Sequence, residues 1–400
     1  MRPASCVRHI WVMTMVLSSP YVRFTLAQEM EAHKGSLDHD NVLTHTIQME
    51  ENGNEFNVSE SVVEELIMNR TRFLDLTYDN PGNNVISFIR TPVKKGKVDP
   101  EVWVGPKQKE FIQAILDQAV NTRLMRRVLP LLTQFPTRNI LSEQGILSGD
   151  WIKSVLQSIL DAAPSAMKRF VKLNRIDHPW KQPSFTVRVE DSGEGKPRSK
   201  PVVILGAHYD SINLENPREA RSPGADDNGS GVVALMEALR VILLANTPLK
   251  YPIELHWYSG EEAGLLGSQA LAKKFVRDKK RVAGSLILDM VGIPKGNGTH
   301  PVIGVATDNV NPKLTKFVQS LVSTYTNAVP KEFRCGYACS DNYPWYRRQF
   351  PTSLVFESDD MNANKVLHTQ NDSLEKINYQ HIKRFVRLAV SFALEMALAS

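Results

Sequence analysis

Short apolar segments alternate with amphipathic segments along most of this chain. Near-continuous apolar segments predict strands that are buried on both faces of a sheet, and apolar positions recurring every three to four residues predict helices. Alternation of the two patterns indicates an α/β fold with a mostly parallel sheet covered by helices on both faces. The predicted strands are 184–189, 202–206, 253–258, 286–290, 302–306 and 353–356, and the predicted helices are 106–132, 149–163, 231–245, 265–277, 312–325 and 380–398.

The N-terminus has the pattern of a cleaved signal peptide. Arg2 and Arg8 precede a short apolar run over residues 10–17, and small residues follow it. The run is too short for a membrane-spanning helix, which needs roughly 20 apolar residues. We therefore expect residues 1–27 to be a signal peptide and the protein to be secreted, with an irregular N-terminal tail as the alternative.

Residues 28–100 are polar and rich in acids at first, with a helical patch over 62–73 and a basic run over 94–97. A polar segment between a signal peptide and a compact domain is typical of a pro-region followed by a linker that proteases can reach. An ordinary solvated extension is the alternative. The remaining residues, 101–400, predict one globular domain that is long enough to bury a large core.

The charge, the cysteines and the glycosylation sequons indicate which partners and modifications to expect. The chain has 48 basic and 43 acidic residues without a long basic run, so we expect no nucleic-acid partner, and we expect a monomer. Cys6 lies in the predicted signal peptide, which leaves Cys335 and Cys339 as a pair that can form a disulfide in an oxidising compartment. Metal binding by this pair is the weaker alternative. Four glycosylation sequons begin at Asn57, Asn69, Asn297 and Asn371.

Five potential metal ligands lie at predicted strand ends or in glycine-rich turns of the C-terminal half. Two imidazoles and three carboxylates suit borderline divalent ions such as zinc. A further acid, Glu261, is not needed as a ligand and can carry protons in a metal hydrolase. The five potential ligands are His208, Asp227, Glu262, Asp289 and His368.

Some of these residues also have a purely structural explanation. A histidine that follows a strand, such as His208, is often structural, but Asp210 two positions later can orient a metal-bound imidazole. The segment 222–231, which contains Asp227, could be a plain turn with a helix N-cap. Its excess of glycine instead favours a backbone that approaches a site closely.

The acidic residues after the next two strands are harder to explain without a cation. Glu261 and Glu262 could begin an exposed helix, but glycines and leucines around them favour burial, which is costly for two adjacent carboxylates. Asp289 lies in an apolar strand and needs a partner there. A metal ion satisfies both requirements.

Several motifs together resemble those of the secreted zinc aminopeptidases of peptidase family M28, which include bacterial and fungal leucine aminopeptidases. The resemblance covers roughly residues 110–400 and leaves residues 1–100 without a counterpart. The motifs are Gly206-Ala-His-Tyr-Asp-Ser211, Pro223-Gly-Ala-Asp-Asp-Asn-Gly-Ser-Gly231, Gly260-Glu-Glu-Ala-Gly-Leu-Leu-Gly-Ser268, Leu288-Asp-Met290, Cys335-Gly-Tyr-Ala-Cys-Ser-Asp341, Phe356-Glu-Ser358 and His368-Thr369.

The resemblance implies a fold, an activity and a cofactor. The fold is a mostly parallel mixed sheet between helices, of the phosphorylase/hydrolase-like type that zinc exopeptidases have. The activity is that of a metalloexopeptidase that removes the N-terminal residue from peptides with a free N-terminus. The resemblance also implies two zinc ions per chain, and it supports residues 28–100 as the removable pro-segment of a zymogen.

The resemblance also assigns roles to individual residues. One zinc ion is held by Asp227, Glu262 and His368, and the second by His208, Asp289 and the shared Asp227. In the other roles, Glu261 carries a proton from the attacking water to the leaving amine, Asp210 orients His208, the Cys335–Cys339 disulfide presents Tyr337 to the developing oxyanion, and the Asp227–Asn228 peptide bond is often cis.

The expected substrate pocket departs from the family pattern at one point. Met290, Leu354, Phe356 and Leu367 form an apolar pocket that suits a leucine-like first residue. Relatives commonly have an aromatic residue shortly after the Phe-Glu-Ser motif, whereas acids such as Asp360 follow it here. These acids could favour a basic or larger first side chain.

Two other functions are compatible with the same fold. A glutaminyl cyclase-like acyltransferase would use a single zinc ion, and a catalytically inactive binding ectodomain would use none. The presence of all five potential ligands and of Glu261 favours the aminopeptidase.

Overall fold

The computed structural model describes residues 44–49, 55–59, 62–63, 66, 73–76, 97–98, 103, 105–190, 200–295, 301–360 and 363–398. The predicted signal peptide lies outside the described residues.

A nine-stranded mixed sheet organises the described part of the main domain, in the order β11-β10-β12-β9-β7-β8-β6-β5, with β4 paired to the start of β9. The pairs at the centre of the sheet are parallel, whereas β5–β6, β6–β8 and β10–β12 are antiparallel. The strands are β4 (Lys97–Val98), β5 (Val171–Ile176), β6 (Ser184–Val189), β7 (Val202–His208), β8 (Ile253–Tyr258), β9 (Arg281–Leu288), β10 (Val302–Ala306), β11 (Val329–Phe333) and β12 (Thr352–Phe356). The predicted mostly parallel mixed sheet is confirmed.

Helices cover both faces of this sheet because its strands are apolar on both sides. On β7, Val203 and Leu205 pack into one buried cluster with α5 and α9, while Val202 and Ile204 pack into a second cluster with α6 and α8. The helices are α1 (Lys109–Ala119), α2 (Arg123–Leu132), α3 (Glu143–Asp161), α4 (Ser165–Lys168), α5 (Gly231–Ala245), α6 (Leu266–Arg277), α7 (Pro312–Tyr325), α8 (Asn342–Arg347) and α9 (Tyr379–Ala397).

The most apolar helix lies at the centre of the molecule. Within the described residues, one helical segment, Ala225–Ala245, is long and apolar enough to cross a membrane by length and composition. Its most apolar window is 83% buried inside the molecule. It contains α5, which packs against α9, α2 and β7. Its apolar sequence therefore belongs to a core helix.

Most differences from the predicted elements occur where the pattern is weak. The predicted helix over 106–132 divides at Val120, whose backbone is extended, and Asn121 Oδ1 caps the start of α2. The unpredicted strands β5 and β11 lie at the two edges of the sheet and expose polar residues. Edge strands lack the continuous apolar pattern because solvent reaches part of their surface.

Residues before 77 include a small sheet of their own, which the polar composition did not predict. The antiparallel strands β1 (Thr44–Met49), β2 (Glu55–Ser59) and β3 (Phe73–Asp75) pair in the order β2-β1-β3. We call these strands and the residues packed on them the N-terminal unit. Its small core contains Ile47, Val58, Val63 and Leu66.

The N-terminal unit contacts the main domain through the end of β3. Gln269 Nε2 donates a hydrogen bond of 2.6 Å to the carbonyl of Asp75. Within the unit, His45 Nδ1 lies 2.7 Å from Asp75 Oδ2 and holds the same residue. Leu76 packs in an apolar cluster with Leu265, Ala338 and Tyr343. On the main domain these contacts come from Gln269 on α6, Leu265 in the loop after β8, Ala338 in the loop closed by the Cys335–Cys339 disulfide, and Tyr343 on α8.

Candidate active site

The predicted ligands and Glu261 meet at the carboxyl edge of the sheet. His208 is the last residue of β7, Glu261 and Glu262 follow β8, and Asp289 follows β9. Because β7 pairs in parallel with both β8 and β9, the three strand ends lie side by side. Asp227 comes from the turn Ala225–Ser230 before α5, and His368 comes from the loop after β12.

The five predicted ligands form two groups that share Asp227. In the first, His208 Nε2 lies 3.2 Å from Asp227 Oδ1 and 3.4 Å from Asp289 Oδ1. In the second, His368 Nε2 lies 3.0 Å from Asp227 Oδ2 and 3.0 Å from Glu262 Oε2. Each oxygen of Asp227 therefore faces a different group, as a bridging carboxylate requires.

The donor atoms fit a divalent cation. Within each group the potential ligand atoms lie within 4.8 Å of one another. In the described part of the chain, Glu262 Oε1 is buried without a hydrogen-bond partner. A buried carboxylate oxygen of this kind needs a compensating cation, and mixed imidazole and carboxylate ligands suit zinc.

The histidines and carboxylates in these groups also perturb one another. Burial alone would lower the pKa of His208, but the charge of Asp289 and neighbouring carboxylates hold it well above its usual value. The pKa of His368 is raised in the same way by Glu262 and Asp227 against the effect of burial. Burial would raise the pKa of Asp227, yet its two histidine partners hold it far below the usual range.

Glu261 and its neighbour Glu262 are both held by Asp210. The Asp210 carboxylate accepts hydrogen bonds of 3.1 Å from the backbone N–H groups of Glu261 and Glu262. Asp210 Oδ1 lies 3.4 Å from His208 Nδ1, which is longer than a normal hydrogen bond. Burial and the adjacent charge of Glu262 raise the pKa of Glu261 well above its usual value. A buried carboxyl group beside a candidate metal site can accept a proton and return it.

Two further residues fix the turn that carries Asp227, and the sequence did not predict their contacts. The Asp372 carboxylate accepts hydrogen bonds of 2.9 Å from the N–H groups of Asp226 and Asp227. Asn228 donates to the carbonyl of Leu288 and accepts from the N–H of Met290, so it holds the backbone on both sides of Asp289. The peptide bond between Asp227 and Asn228 is cis, as the family resemblance implies.

Comparison with known proteins places the chain in a family. Residues 190–393 match the family described as Peptidase family M28. The chain belongs to peptidase family M28. The predicted family and the predicted class of enzyme, a metalloexopeptidase, are confirmed.

Named relatives in this M28 family extend over most of the chain. Leucine aminopeptidase 1 of Aspergillus clavatus is 33% identical over 346 residues, which cover 84% of each chain. The probable leucine aminopeptidase 1 of Trichophyton verrucosum is 38% identical over 280 residues, which cover 68% of this chain and 73% of the relative. The crystal structure of the LapA aminopeptidase of Legionella pneumophila aligns with a TM-score of 0.77 at 25% identity, covering 90% of this chain and all of the other.

A disulfide joins Cys335 to Cys339 in this M28 chain, as predicted. The Asp308 carboxylate accepts hydrogen bonds from the N–H groups of Cys335 and Gly336, at 3.1 and 2.7 Å. Asn309 Nδ2 donates to the carbonyl of Tyr337 at 2.9 Å. The half-buried Tyr337 therefore lies on a loop whose backbone is fixed at three consecutive residues.

The predicted pocket residues lie in one apolar cluster of this M28 domain. Met290, Leu354 and Phe356 are buried, and Leu367 packs against them partly exposed. Val310 and Phe333, which the sequence did not suggest, join the same cluster. Asp359 and Asp360, which follow β12, are half-buried. Asp359 lies 2.9 Å from Lys295 Nζ, and Asp360 exchanges backbone hydrogen bonds with the Ser358 hydroxyl.

Of the four sequons in the M28 chain, two lie on described residues. Asn57 in β2 and Asn371 in the loop before α9 are both exposed. Asn69 and Asn297 lie outside the described residues. Two of the sequons are therefore accessible to solvent.

Proposed function

We propose that this chain is a zinc aminopeptidase that removes the first residue from peptides and holds two zinc ions. The observation that carries the proposal is the position of Asp227, whose two carboxylate oxygens face separate ligand groups at 3.2 and 3.0 Å. One group adds His208 and Asp289, and the other adds Glu262 and His368. The leucine aminopeptidase relatives support the reaction.

The side chains around this centre have different roles in the proposed reaction. Zinc, when bound, polarises the scissile carbonyl and lowers the pKa of the attacking water. Glu261 accepts a proton from that water and returns it to the leaving amine. Tyr337 donates a hydrogen bond to the developing oxyanion. Asp210 keeps Glu261 and Glu262 in place through their backbone N–H groups.

The apolar pocket sets the preferred first residue. Met290, Leu354, Phe356 and Leu367 present a surface without charge, so a leucine-like side chain fits best. Asp360 at the rim adds affinity for a basic or larger side chain. We expect Asp360→Phe to raise the ratio of leucine-arylamide to lysine-arylamide hydrolysis, and an unchanged ratio would contradict a role for the rim acids.

The reaction is tested with metal analysis and a pair of matched substrates. The purified protein should contain two zinc ions and hydrolyse leucine p-nitroanilide, but not its N-acetylated form, because the free amine is required. One zinc ion together with cyclisation of an N-terminal glutamine would instead support the glutaminyl cyclase-like alternative. A protein that binds no zinc and cleaves neither substrate would support the inactive ectodomain.

The processing of the chain is part of the same proposal. We expect secretion after removal of residues 1–27, removal of 28–100 as a pro-region, and a monomeric mature enzyme over 101–400. Removal of 28–100 would also remove β4, the short strand paired to the start of β9. The contacts of Leu76 in the N-terminal unit with Leu265 and Ala338, which are close in sequence to Glu262 and Tyr337, support a pro-region that is removed. N-terminal sequencing of protein recovered from culture medium tests both cleavages. A first residue within 28–43, before β1, would show that the N-terminal unit is retained.

A further inference from the structure

Among the described residues, one arginine lies fully buried beside the candidate metal centre. Arg138, in the segment between α2 and α3, has no exposed surface. Its Nε donates a hydrogen bond of 2.7 Å to the carbonyl of Tyr209. Its two terminal nitrogens donate to the carbonyls of Pro223 and Gly224 at 2.5 and 2.9 Å. The guanidinium therefore binds three backbone carbonyls that belong to two different loops.

These two loops each carry a predicted ligand of the same zinc ion. Tyr209 stands directly between His208 and Asp210, and Gly224 lies three residues before Asp227. His208 and Asp227 belong to the group that Asp289 completes. Arg138 thus connects the backbone beside one ligand to the backbone beside another.

A second set of hydrogen bonds joins the same two loops. The backbone N–H of Arg138 donates to Ser211 Oγ at 3.1 Å, and Ser211 Oγ donates to the carbonyl of Ser222 at 2.9 Å. Gly224 has a φ of +49°, and a Cβ at this position would lie 2.6 Å from Arg138 Nη2. The close approach of the guanidinium therefore requires glycine at this position.

The charge of Arg138 is balanced by the acids of the centre. Burial lowers the pKa of Arg138 to about 10, while the charges of Asp372, Asp210 and Asp227 oppose that effect. The side chain therefore remains a cation at neutral pH. Its hydrogen bonds in the described structure go to carbonyls, so the balancing carboxylates act at longer range.

We propose that Arg138 is a positioning residue for the metal centre, which fixes the separation between His208 and Asp227. The inference rests on the proposed zinc enzyme but concerns a residue outside the 190–393 segment that matches the family. Residues that orient metal ligands typically change metal affinity or activity by about 10–100-fold when they are replaced.

Replacement of Arg138 removes both its positive charge and its hydrogen bonds to the two loops, and these two losses are expected to change zinc affinity in opposite directions. Arg138 is a cation near a site for cations, so removal of its charge alone would tighten zinc binding. Loss of the connection between the two loops would weaken zinc binding, because the ligands would no longer be held at the separation that the ion needs. The sign of the change therefore distinguishes the two roles.

The test compares Arg138→Met, which removes the charge and the hydrogen bonds, with Arg138→Lys, which keeps the charge but loses the planar three-way contact. Arg387→Met is the matched control. Arg387 is also nearly buried and donates to a backbone carbonyl, that of Tyr325, at 2.6 Å, but it lies on α9 away from the ligands. Zinc affinity is measured by competition with a chromophoric chelator, and thermal unfolding is measured with the metal removed.

We expect both Arg138 variants to bind the more weakly held zinc ion at least about tenfold less tightly than the wild type. Arg387→Met should keep wild-type zinc affinity even if its unfolding temperature falls. Unchanged affinity in both Arg138 variants would overturn the proposal, as would tighter binding in Arg138→Met alone. An equal loss in Arg387→Met would also overturn it, because general destabilisation would then explain the result. A wild type that binds a single ion would contradict the two-zinc proposal, while the comparison of variants would still apply to that ion.

Discussion

Glu261 and Glu262 are adjacent in sequence but differ in their contacts and in the roles proposed for them. Both backbone N–H groups are held by Asp210, but only Glu262 lies within 3.0 Å of His368 Nε2. Burial raises the pKa of Glu261 well above its usual value, and that of Glu262 to about 7. In the proposed centre, a cation would stabilise Glu262 as a ligand and would leave Glu261 available to carry a proton.

Replacement of each acid by glutamine should separate the two roles. Glu261→Gln should lower kcat by about 10²–10⁴-fold with normal zinc content, because general acid–base catalysis is lost. Glu262→Gln should instead lose a zinc ion, since an amide is a weaker ligand than a carboxylate. Zinc content and kcat for leucine p-nitroanilide are measured on the same preparations. Near-normal turnover of Glu261→Gln would show that the assigned proton carrier is wrong.

At the scale of residues, the sequence predicted the candidate ligands better than the residues that hold them. His208, Glu262 and Asp289 stand directly after or near apolar strands, where an imidazole or a carboxylate is conspicuous. Arg138 and Asp372 lie in loops far from Asp227 along the chain, and their local sequence has no metal-site pattern. Only the fold brings them to the turn that they support.

At the scale of elements, the loop after β10 supports the disulfide-closed loop that carries Tyr337. Asp308 binds two successive N–H groups of that loop, and Asn309 binds its next carbonyl. Asn309 also accepts a hydrogen bond from Asn342 at the start of α8. The position of Tyr337 thus depends on a strand end as well as on the disulfide.

A double-mutant cycle can test whether Asp308 acts through Tyr337. We expect Tyr337→Phe to lower kcat by about 10²-fold or more, as loss of an oxyanion donor does. Asp308→Ala should lower kcat in the wild type but have little further effect in the Tyr337→Phe background, because the group that it positions is already gone. Additive losses would mean that Asp308 acts elsewhere, and an inert Tyr337→Phe would remove Tyr337 from the catalytic set.

Asp308→Ala should also expose the disulfide to reductants. Release of the two N–H groups frees the loop to open, so the Cys335–Cys339 bond should be reduced faster by a small thiol. The rate of thiol release under native conditions gives a measurement that does not depend on zinc or on turnover. An unchanged rate would show that Asp308 does not hold the loop.

The elements predicted well are those buried on both sides. Strands at 184–189, 253–258 and 302–306 were predicted with the bounds that the structure has, because apolar residues recur at every second position or more often along each of them. The sequence did not predict the N-terminal unit, because its sequence is mostly polar and only four buried residues form its core. A small core gives little periodicity to detect.

At the scale of the whole molecule, acid stability should depend on His178. Burial lowers the pKa of His178 to about 4, where its Nε2 lies 2.7 Å from Ser184 Oγ and its ring stacks on Trp180. Between pH 6.5 and 4 the unfolded chain binds a proton that the folded chain does not, so the folded state loses stability as the pH falls. The loss is about 1.4 kcal/mol per pH unit and about 3 kcal/mol in total.

His178→Gln is the matched variant for this pH dependence, because it stays neutral. Urea denaturation of the metal-free protein at several pH values gives the free energy of unfolding for both proteins. The wild type should lose stability more steeply than the variant between pH 6.5 and 4, with parallel curves above pH 7. Parallel curves over the whole range would mean that His178 is protonated in the folded state.

The N-terminal unit gives the last prediction, since it joins two parts of the molecule that are distant in sequence. Leu76 packs between Leu265, three residues after Glu262, and Ala338, one residue after Tyr337. Because both contacts are close in sequence to residues of the candidate active site, we expect the bound unit to restrict the access of peptides to Glu261 and Tyr337.

A protease site inserted within residues 77–96 allows the full chain to be assayed before and after cleavage. Release of the unit should raise kcat/KM for leucine p-nitroanilide, with a larger gain for longer peptides because they need more space. Leu76→Asp should produce part of the gain without cleavage, since a carboxylate is unfavourable in the apolar contact with Leu265 and Tyr343. Val58→Ala, which weakens only the internal core of the unit, is the control. Equal activity before and after cleavage, with the unit dissociated, would show that these contacts do not obstruct the site.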